Sequence, residues 1–379
     1  MALDALSKNR SFLSLIAAST VLGAAMPMLI ILGGLAGLHL APTTALATLP
    51  SSLQILAGLL TAAPFSLLMG RLGRKPGFFI GAGIAILGAA LGALALFWGN
   101  FLLLCIAHFA LGAALACYQY FRFAAAETVS PEWQPVAISF ILSAGLIAAF
   151  TGPQLFIATK DALAPVPLVG AYVAIAAVTA IGLIPLALTH LPKPAPLQDG
   201  AKTPSRNAAL KLLMRPAIRR AVGLGAVSQG IMVFLMIPTP LAMIGAHHTE
   251  ALAGDVIRWH VVAMFAPSFI TGFLIKRFGA NRIAMLGLIL LLISALLAAS
   301  GLTPMHFYLS LIILGAGWNF GFIGATTLLA SAVTDAEKPV VQGANDTLIA
   351  LVSTVCAFAA GALVAGYGWT VLVPSRTIT

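Results

Sequence analysis

Residues Ser66-Leu67-Leu68-Met69-Gly70-Arg71-Leu72-Gly73-Arg74-Lys75 form a short basic turn set between two apolar runs. A second turn, Gly272-Phe273-Leu274-Ile275-Lys276-Arg277-Phe278-Gly279-Ala280-Asn281-Arg282, has the same apolar flanks. Arg277 stands 206 positions after Arg71, and Gly279 stands 206 after Gly73, so the turns align without a gap. A cationic turn between membrane-length segments, repeated at a fixed offset, marks two related helical halves.

Composition points the same way. The 379 residues are 60% hydrophobic and 8% charged, with a mean hydropathy of +1.04. Soluble domains carry roughly 25% charged residues, and one this apolar could not hide its surface from water. Apolar segments fall at 12–38, 45–69, 77–98, 100–123, 136–159, 165–189, 221–245, 255–275, 281–301, 305–330 and 342–366, each of a length that can span a bilayer. The first follows Lys8 and Arg10 but is too long for a signal-peptide core, so it reads as a retained helix.

The net charge of +10 is distributed by topology. Sixteen of the twenty Lys/Arg residues fall on one side of the alternating segments; Lys160, Arg258 and Arg376 fall opposite, and Arg122 lies at a helix end. The positive-inside rule predicts that the rich side and the N-terminus are cytoplasmic, and it removes nucleic acid as a partner. Residues 1–189 read as one half and 221–379 as the other. The connector 190–220 holds five prolines and seven Lys/Arg. Its stretch Asn207–Met214 could be an amphipathic surface helix or part of a solvated linker. Cys105, Cys117 and Cys356 lie in apolar segments at no metal spacing and read as small hydrophobes.

The two basic turns resemble the loop between helices two and three of the major facilitator superfamily, Gly-x-Leu-Ala-Asp-Arg-x-Gly-Arg-Lys. Leu68, Arg71, Gly73, Arg74 and Lys75 match in the first copy, and Gly272, Leu274, Arg277 and Gly279 match in the second. Ser66 replaces the motif's first glycine, Gly70 its aspartate, and Lys276 stands at the second copy's aspartate position. The resemblance implies an all-α polytopic membrane protein of two pseudo-symmetric helical halves, a bacterial inner-membrane location and transport by alternating access. The family fold has twelve helices. Here the residues after the eleventh segment, Tyr367 to Thr379, are too few for a full crossing, so the last helix reads as truncated. Arg258–Phe273 and Trp318–Leu328 also resemble a bacterial subgroup that includes riboflavin importers.

Function is sought in polar groups inside the segments, because lipid makes them costly. None of the ten Asp/Glu residues falls at the middle of a segment. Proton coupling would therefore use His108, His260 or an acid at a helix end, and facilitated uniport is a serious option. The substrate-contact candidates are Tyr118, Gln119, Tyr120 and Arg122 at the end of the fourth segment, Gln229 and Thr239 in the seventh, and Trp318 and Asn319 in the tenth. In the resembled fold the first, fourth, seventh and tenth helices line the path. Aromatics and neutral amides suit a neutral or planar organic solute. Tyr118 and Arg122, four apart, would share a helix face. Arg122 would bind substrate, pair with Glu127 or snorkel to headgroups. Any single amide reads first as glue between helices; it is their concentration on these helices that carries the functional case.

Gating candidates are Arg71, Gly73, Arg74, Lys75, Lys276, Arg277 and Gly279, with Glu127 and Asp346 as partners. Arg71 or Arg74 is expected near Asp335, Glu337 or Asp346, and Lys276 or Arg277 near Glu127 or Glu132. The same cations could simply set topology. Gly145 and Gly152-Pro153 resemble the family's antiporter signature, but a packed proline kink accounts for them. No His-Glu-x-x-His, Gly-x-Ser-x-Gly or phosphate-loop motif occurs, so neither an enzyme, a cofactor nor a metal is expected. Proton-driven efflux, or a sensor or scaffold without transport, are the alternatives.

Overall fold

A computed structural model describes residues 9–43, 46–192 and 211–367. Its longer helices are α1 (Arg10–Gly23), α2 (Ala25–Leu40), α3 (Leu49–Leu72), α4 (Arg74–Phe97), α5 (Phe101–Tyr118), α6 (Phe121–Glu127), α7 (Gln134–Thr159) and α8 (Val169–Leu188). They continue as α9 (Pro216–Met236), α10 (Thr239–Gly245), α11 (Glu250–Phe265), α12 (Ser268–Phe278), α13 (Ala280–Ser300), α14 (Pro304–Ala332) and α15 (Lys338–Tyr367). Among the described residues, eleven helical stretches are long and apolar enough to cross a membrane, one for each segment read from the sequence. Large apolar side chains such as Leu87, Leu102 and Ile184 point outward and are exposed, as lipid contact allows and water would not. The expected stub after Tyr367 and most of the 190–220 connector lie outside the described residues.

The chain forms two compact units. One is Met1–Leu210 with Val333–Thr347, the other Lys211–Ala332 with Leu348–Thr379. Residues 333–347 thus belong with the first unit, although in sequence they follow the second basic turn.

The repeated turns repeat in backbone conformation. Gly73 has φ 98° and ψ 161°, and Gly279 has φ 88° and ψ 145°, a region open essentially to glycine alone. Gly73 N–H donates to Met69 O at 2.9 Å, and Gly279 N–H donates to Ile275 O at 2.7 Å. On the far side Gly77 N–H reaches Gly73 O, and Ile283 N–H reaches Gly279 O, each at 3.3 Å. Each turn therefore closes one helix and opens the next with no intervening loop.

Prolines interrupt the spans where the sequence places them. Span one breaks at Ala24, between α1 and α2, because Pro27 has no N–H for the carbonyl of Gly23. A Cβ on Gly152 would lie 2.8 Å from Ala24 O and 3.0 Å from Pro27 Cβ. Gly152 thus lets α7 press against that break, a packing role for the residue. Span eight breaks at Ala266–Pro267, between α11 and α12, and span seven ends at Ile237–Pro238. The Thr239 hydroxyl donates to Leu235 O at 2.7 Å beside that last break.

Candidate functional site

In the first unit the N-terminus of α4, the two ends of α6 and the start of α15 bring five charged side chains and two amides together. Arg74, only 7% exposed, forks onto Glu127, with Nη2 2.8 Å from Oε1 and Nε 3.2 Å from Oε2. The same Nη2 donates to Gln342 Oε1 at 2.6 Å. Lys338 Nζ lies 3.8 Å from Glu127 Oε1. A second ion pair joins Arg122 Nη2 to Asp346 Oδ1, and Asn345 Nδ2 donates to that oxygen at 2.8 Å. Two buried arginines thus meet two carboxylates, the balance that a dry site requires.

This geometry differs from the sequence expectations in several places. Arg122 neither snorkels nor pairs with Glu127: its side chain is 4% exposed and bound to Asp346, while Glu127 is taken by Arg74. The pairing of Glu127 explains itself, because the tight turn at Gly73 presents Arg74 as the first residue of α4. Asp335 and Glu337 are used locally. Asp335 binds Lys338 Nζ at 2.6 Å, and Glu337 accepts from Thr334 N at 3.0 Å, half of a capping box that starts the last helix. Arg71 is exposed, as are Lys276 and Arg277. Lys75 donates to Ala187 O at 2.6 Å and Thr189 O at 2.9 Å, capping the end of α8.

Tyr118 and Arg122 do not ride one unbroken helix. Between α5 and α6 the chain tightens into a turn, with Tyr120 N–H on Cys117 O and Phe123 N–H on Tyr120 O. Tyr120 is fully buried and donates to Ala62 O at 2.6 Å, so it ties α5 to α3 and offers no open ring. Gln119 is exposed and accepts from Arg122 Nη1 at 3.2 Å. The Tyr118 hydroxyl is buried with no hydrogen-bond partner among the described residues.

The second unit carries an amide–aromatic group halfway along its helices. Trp318 Nε1 donates to Gln229 Oε1 at 2.7 Å, joining α14 to α9. Phe322 stacks on the indole at 5.0 Å and 15°, and Phe265 meets it edge-on at 5.9 Å. Asn319 faces elsewhere. Its Nδ2 donates to Met264 O at 2.7 Å and Ser268 Oγ at 2.6 Å, and its Oδ1 accepts from Thr271 Oγ1 at 2.6 Å. The side chain is fully buried and holds both arms of the span-eight break, since Pro267 disrupts the carbonyl ladder there.

The two candidate histidines sit at equivalent crossings. His108 lies between Gln54 Oε1 at 3.1 Å and Tyr172 Oη at 2.7 Å, and His260 Nδ1 donates to Leu311 O at 2.7 Å. Each crossing is closed by a glycine. A Cβ on Gly112 would fall 2.7 Å from Gln54 Cα, and one on Gly315 would fall 2.7 Å from His260 O. Gln54 and His260 are 206 apart, the offset of the basic turns. His260 Nε2 is buried with no hydrogen-bond partner among the described residues. Those residues contain no group of three or more His, Cys, Asp or Glu able to hold a metal. Sequence reasoning missed Gln342, Asn345, Tyr172, Phe265 and Phe322. The polar run Gln342-Gly343-Ala344-Asn345-Asp346 inside an apolar segment was the available signal for the first two.

Eleven membrane-length apolar spans among the described residues, with a glycine turn repeated in sequence offset and backbone shape, fit the class of membrane carriers. No family model matches the sequence. The chain is 36% identical over 366 residues to the riboflavin transporter RfnT of Brucella anthropi, covering 97% of this chain and 92% of that one. It is 28% identical to the MFS-type transporter YdeG of Bacillus subtilis, covering 92% and 84%. Among solved structures it resembles the E. coli fucose:proton symporter FucP (N162A), with TM-score 0.75, 19% identity and coverage of 96% and 94%. It also resembles the human organic anion transporter MFSD10, with TM-score 0.76, 15% identity and coverage of 96% and 95%. The chain belongs to the major facilitator superfamily of secondary transporters. It is a multi-pass membrane protein that moves a small organic solute.

Proposed function

We propose that this protein is a bacterial inner-membrane carrier of riboflavin or of uncharged, flat heteroaromatic solutes like it, working by alternating access. The observation that carries this reading is the 36% identity to a riboflavin transporter along nearly the whole chain. The Trp318–Gln229 group supports it, because neutral amides among aromatic rings suit an uncharged planar solute better than a multiply charged one. In this reading Arg74, Glu127, Arg122 and Asp346 form a gate on the cytoplasmic side. Their paired charges are stable while dry, and water entering the site weakens them.

The test is flux in liposomes containing the purified protein, with radiolabelled riboflavin set against a panel holding a sugar and an organic anion. Saturable riboflavin entry, competed by excess unlabelled riboflavin, is the expected result. Saturable movement of another panel solute with none of riboflavin overturns the reading. A second reading, proton coupling, rests on Asp346, whose Oδ2 is buried with no hydrogen-bond partner among the described residues. Entry accelerated by an imposed proton gradient in the native protein, but not in Asp346→Asn, would select it over uniport.

A further inference from the structure

We infer that Gln229 reads the solute in the second unit, as an amide donor whose direction is set by Trp318. This rests on the proposed transport of flat, uncharged heteroaromatics and names the group on them that is recognised. An indole N–H can only donate. The Gln229 amide atom 2.7 Å from Trp318 Nε1 must therefore be its oxygen, which turns the NH2 group the other way. Trp318 is itself held, 6% exposed, by the stacked Phe322 and the edge-on Phe265. The orientation of the amide is thus built into the packing of α14 and does not wait for a ligand.

The NH2 group has no hydrogen-bond partner among the described residues, and Gln229 is half-buried, not sealed. It sits in the second half of α9, within the span, where an amide turned to hydrocarbon would lose several kcal/mol. Water or a solute must satisfy it. A fixed donor left without a protein partner selects an acceptor, so the matching solute group is a carbonyl oxygen or an unprotonated ring nitrogen. Such sites reject analogues that lack the partner far more strongly than apolar pockets reject a missing methylene. Trp318 acts here as a positioning residue; with its faces covered it offers little surface for stacking, contrary to what the sequence suggests.

Riboflavin is the probe, and the readout is the split between KM and maximal rate in liposomes. Gln229→Glu keeps the acceptor for Trp318 but has no donor when ionised. We expect its KM for riboflavin to rise about tenfold, near the worth of one hydrogen bond, with the maximal rate held within about twofold. Gln229→Met keeps the volume without either polar group and raises KM equally, which guards against misfolding of the charged variant. Trp318→Phe frees the amide to turn and raises KM in the same direction. A native KM in both Gln229 variants sinks this inference alone. No riboflavin flux in the native protein sinks the flavin reading and the inference with it.

Discussion

The guanidinium of Arg122 and the carboxylate of Asp346 are paired where both side chains are nearly sealed from solvent, 4% and 8% exposed. Charges taken this far out of water are held by each other, so removing one strands its partner. Asp346→Ala is expected to destabilise the protein by about 3–5 kcal/mol. The double variant Arg122→Met, Asp346→Leu should recover most of that loss, because neither charge is then left buried. Thermal unfolding in detergent reads the stability of the native protein and of both variants. Flux reads the function: if the pair gates, the apolar double variant folds yet transports slowly, and native flux in it would assign the pair to stability alone.

The glycine turns give a second expectation. Gly73 and Gly279 combine positive φ with extended ψ, a region that left-handed Asn does not reach. Ala and Asn should therefore cost alike at both positions, about 1–3 kcal/mol each. Rescue by Asn would show that the backbone relaxes into the ordinary left-handed region and would refute the repeat geometry described above.

His108 provides a third. Its two ring nitrogens serve Gln54 on α3 and Tyr172 on α8, and a neutral imidazole satisfies both when Nδ1–H donates to Gln54 and Nε2 accepts from Tyr172. His108→Leu leaves the buried Tyr172 hydroxyl unmatched, at about 1–3 kcal/mol, and frees the half-buried Gln54 amide at a smaller cost. Adding Tyr172→Phe should recover part of the loss, as measured by a double-mutant cycle on the unfolding temperature. Riboflavin flux unaffected by proton gradients in both native and variant protein would assign His108 to structure rather than to a proton path.

What the sequence made legible follows from what repeats in one dimension. Apolar length places the eleven spans, and the 206-residue offset places both turns in one backbone shape, because Gly73 and Gly279 are dictated locally. Partner choice is not local. Glu127 is equally compatible with cations from several turns, and only the approach of α6 to the start of α4 selects Arg74. Asn319 and Trp318 are neighbours with opposite fates, because one helix step turns the first toward α11 and α12 and the second toward α9. Hydropathy does not encode that rotation. The Tyr118–Arg122 face was misread for a related reason: its periodicity assumes an unbroken helix, and the turn at Gln119–Tyr120 carries no proline or glycine to announce itself.

Asn319 separates positioning from solute contact most clearly. Its amide meets Met264 O, Ser268 Oγ and Thr271 Oγ1 around the Pro267 break, with no exposed surface. Asn319→Ala removes all three bonds at once and opens a small void, so a loss of about 2–4 kcal/mol is expected from the unmatched groups and the cavity together. Asn319→Asp keeps the acceptor for Thr271 but offers Met264 O no hydrogen when ionised, and should be as damaging. If the residue acts only by holding the break, surviving Asn319→Ala protein at low temperature moves riboflavin with a native KM and a reduced maximal rate. Gln229→Met should show the reverse pattern, a raised KM with a smaller fall in unfolding temperature, that of the single Trp318 N–H left unmatched. Parallel liposome kinetics and detergent melts on the two variants test the contrast. A raised KM for Asn319→Ala without loss of stability would move Asn319 into the solute-binding group.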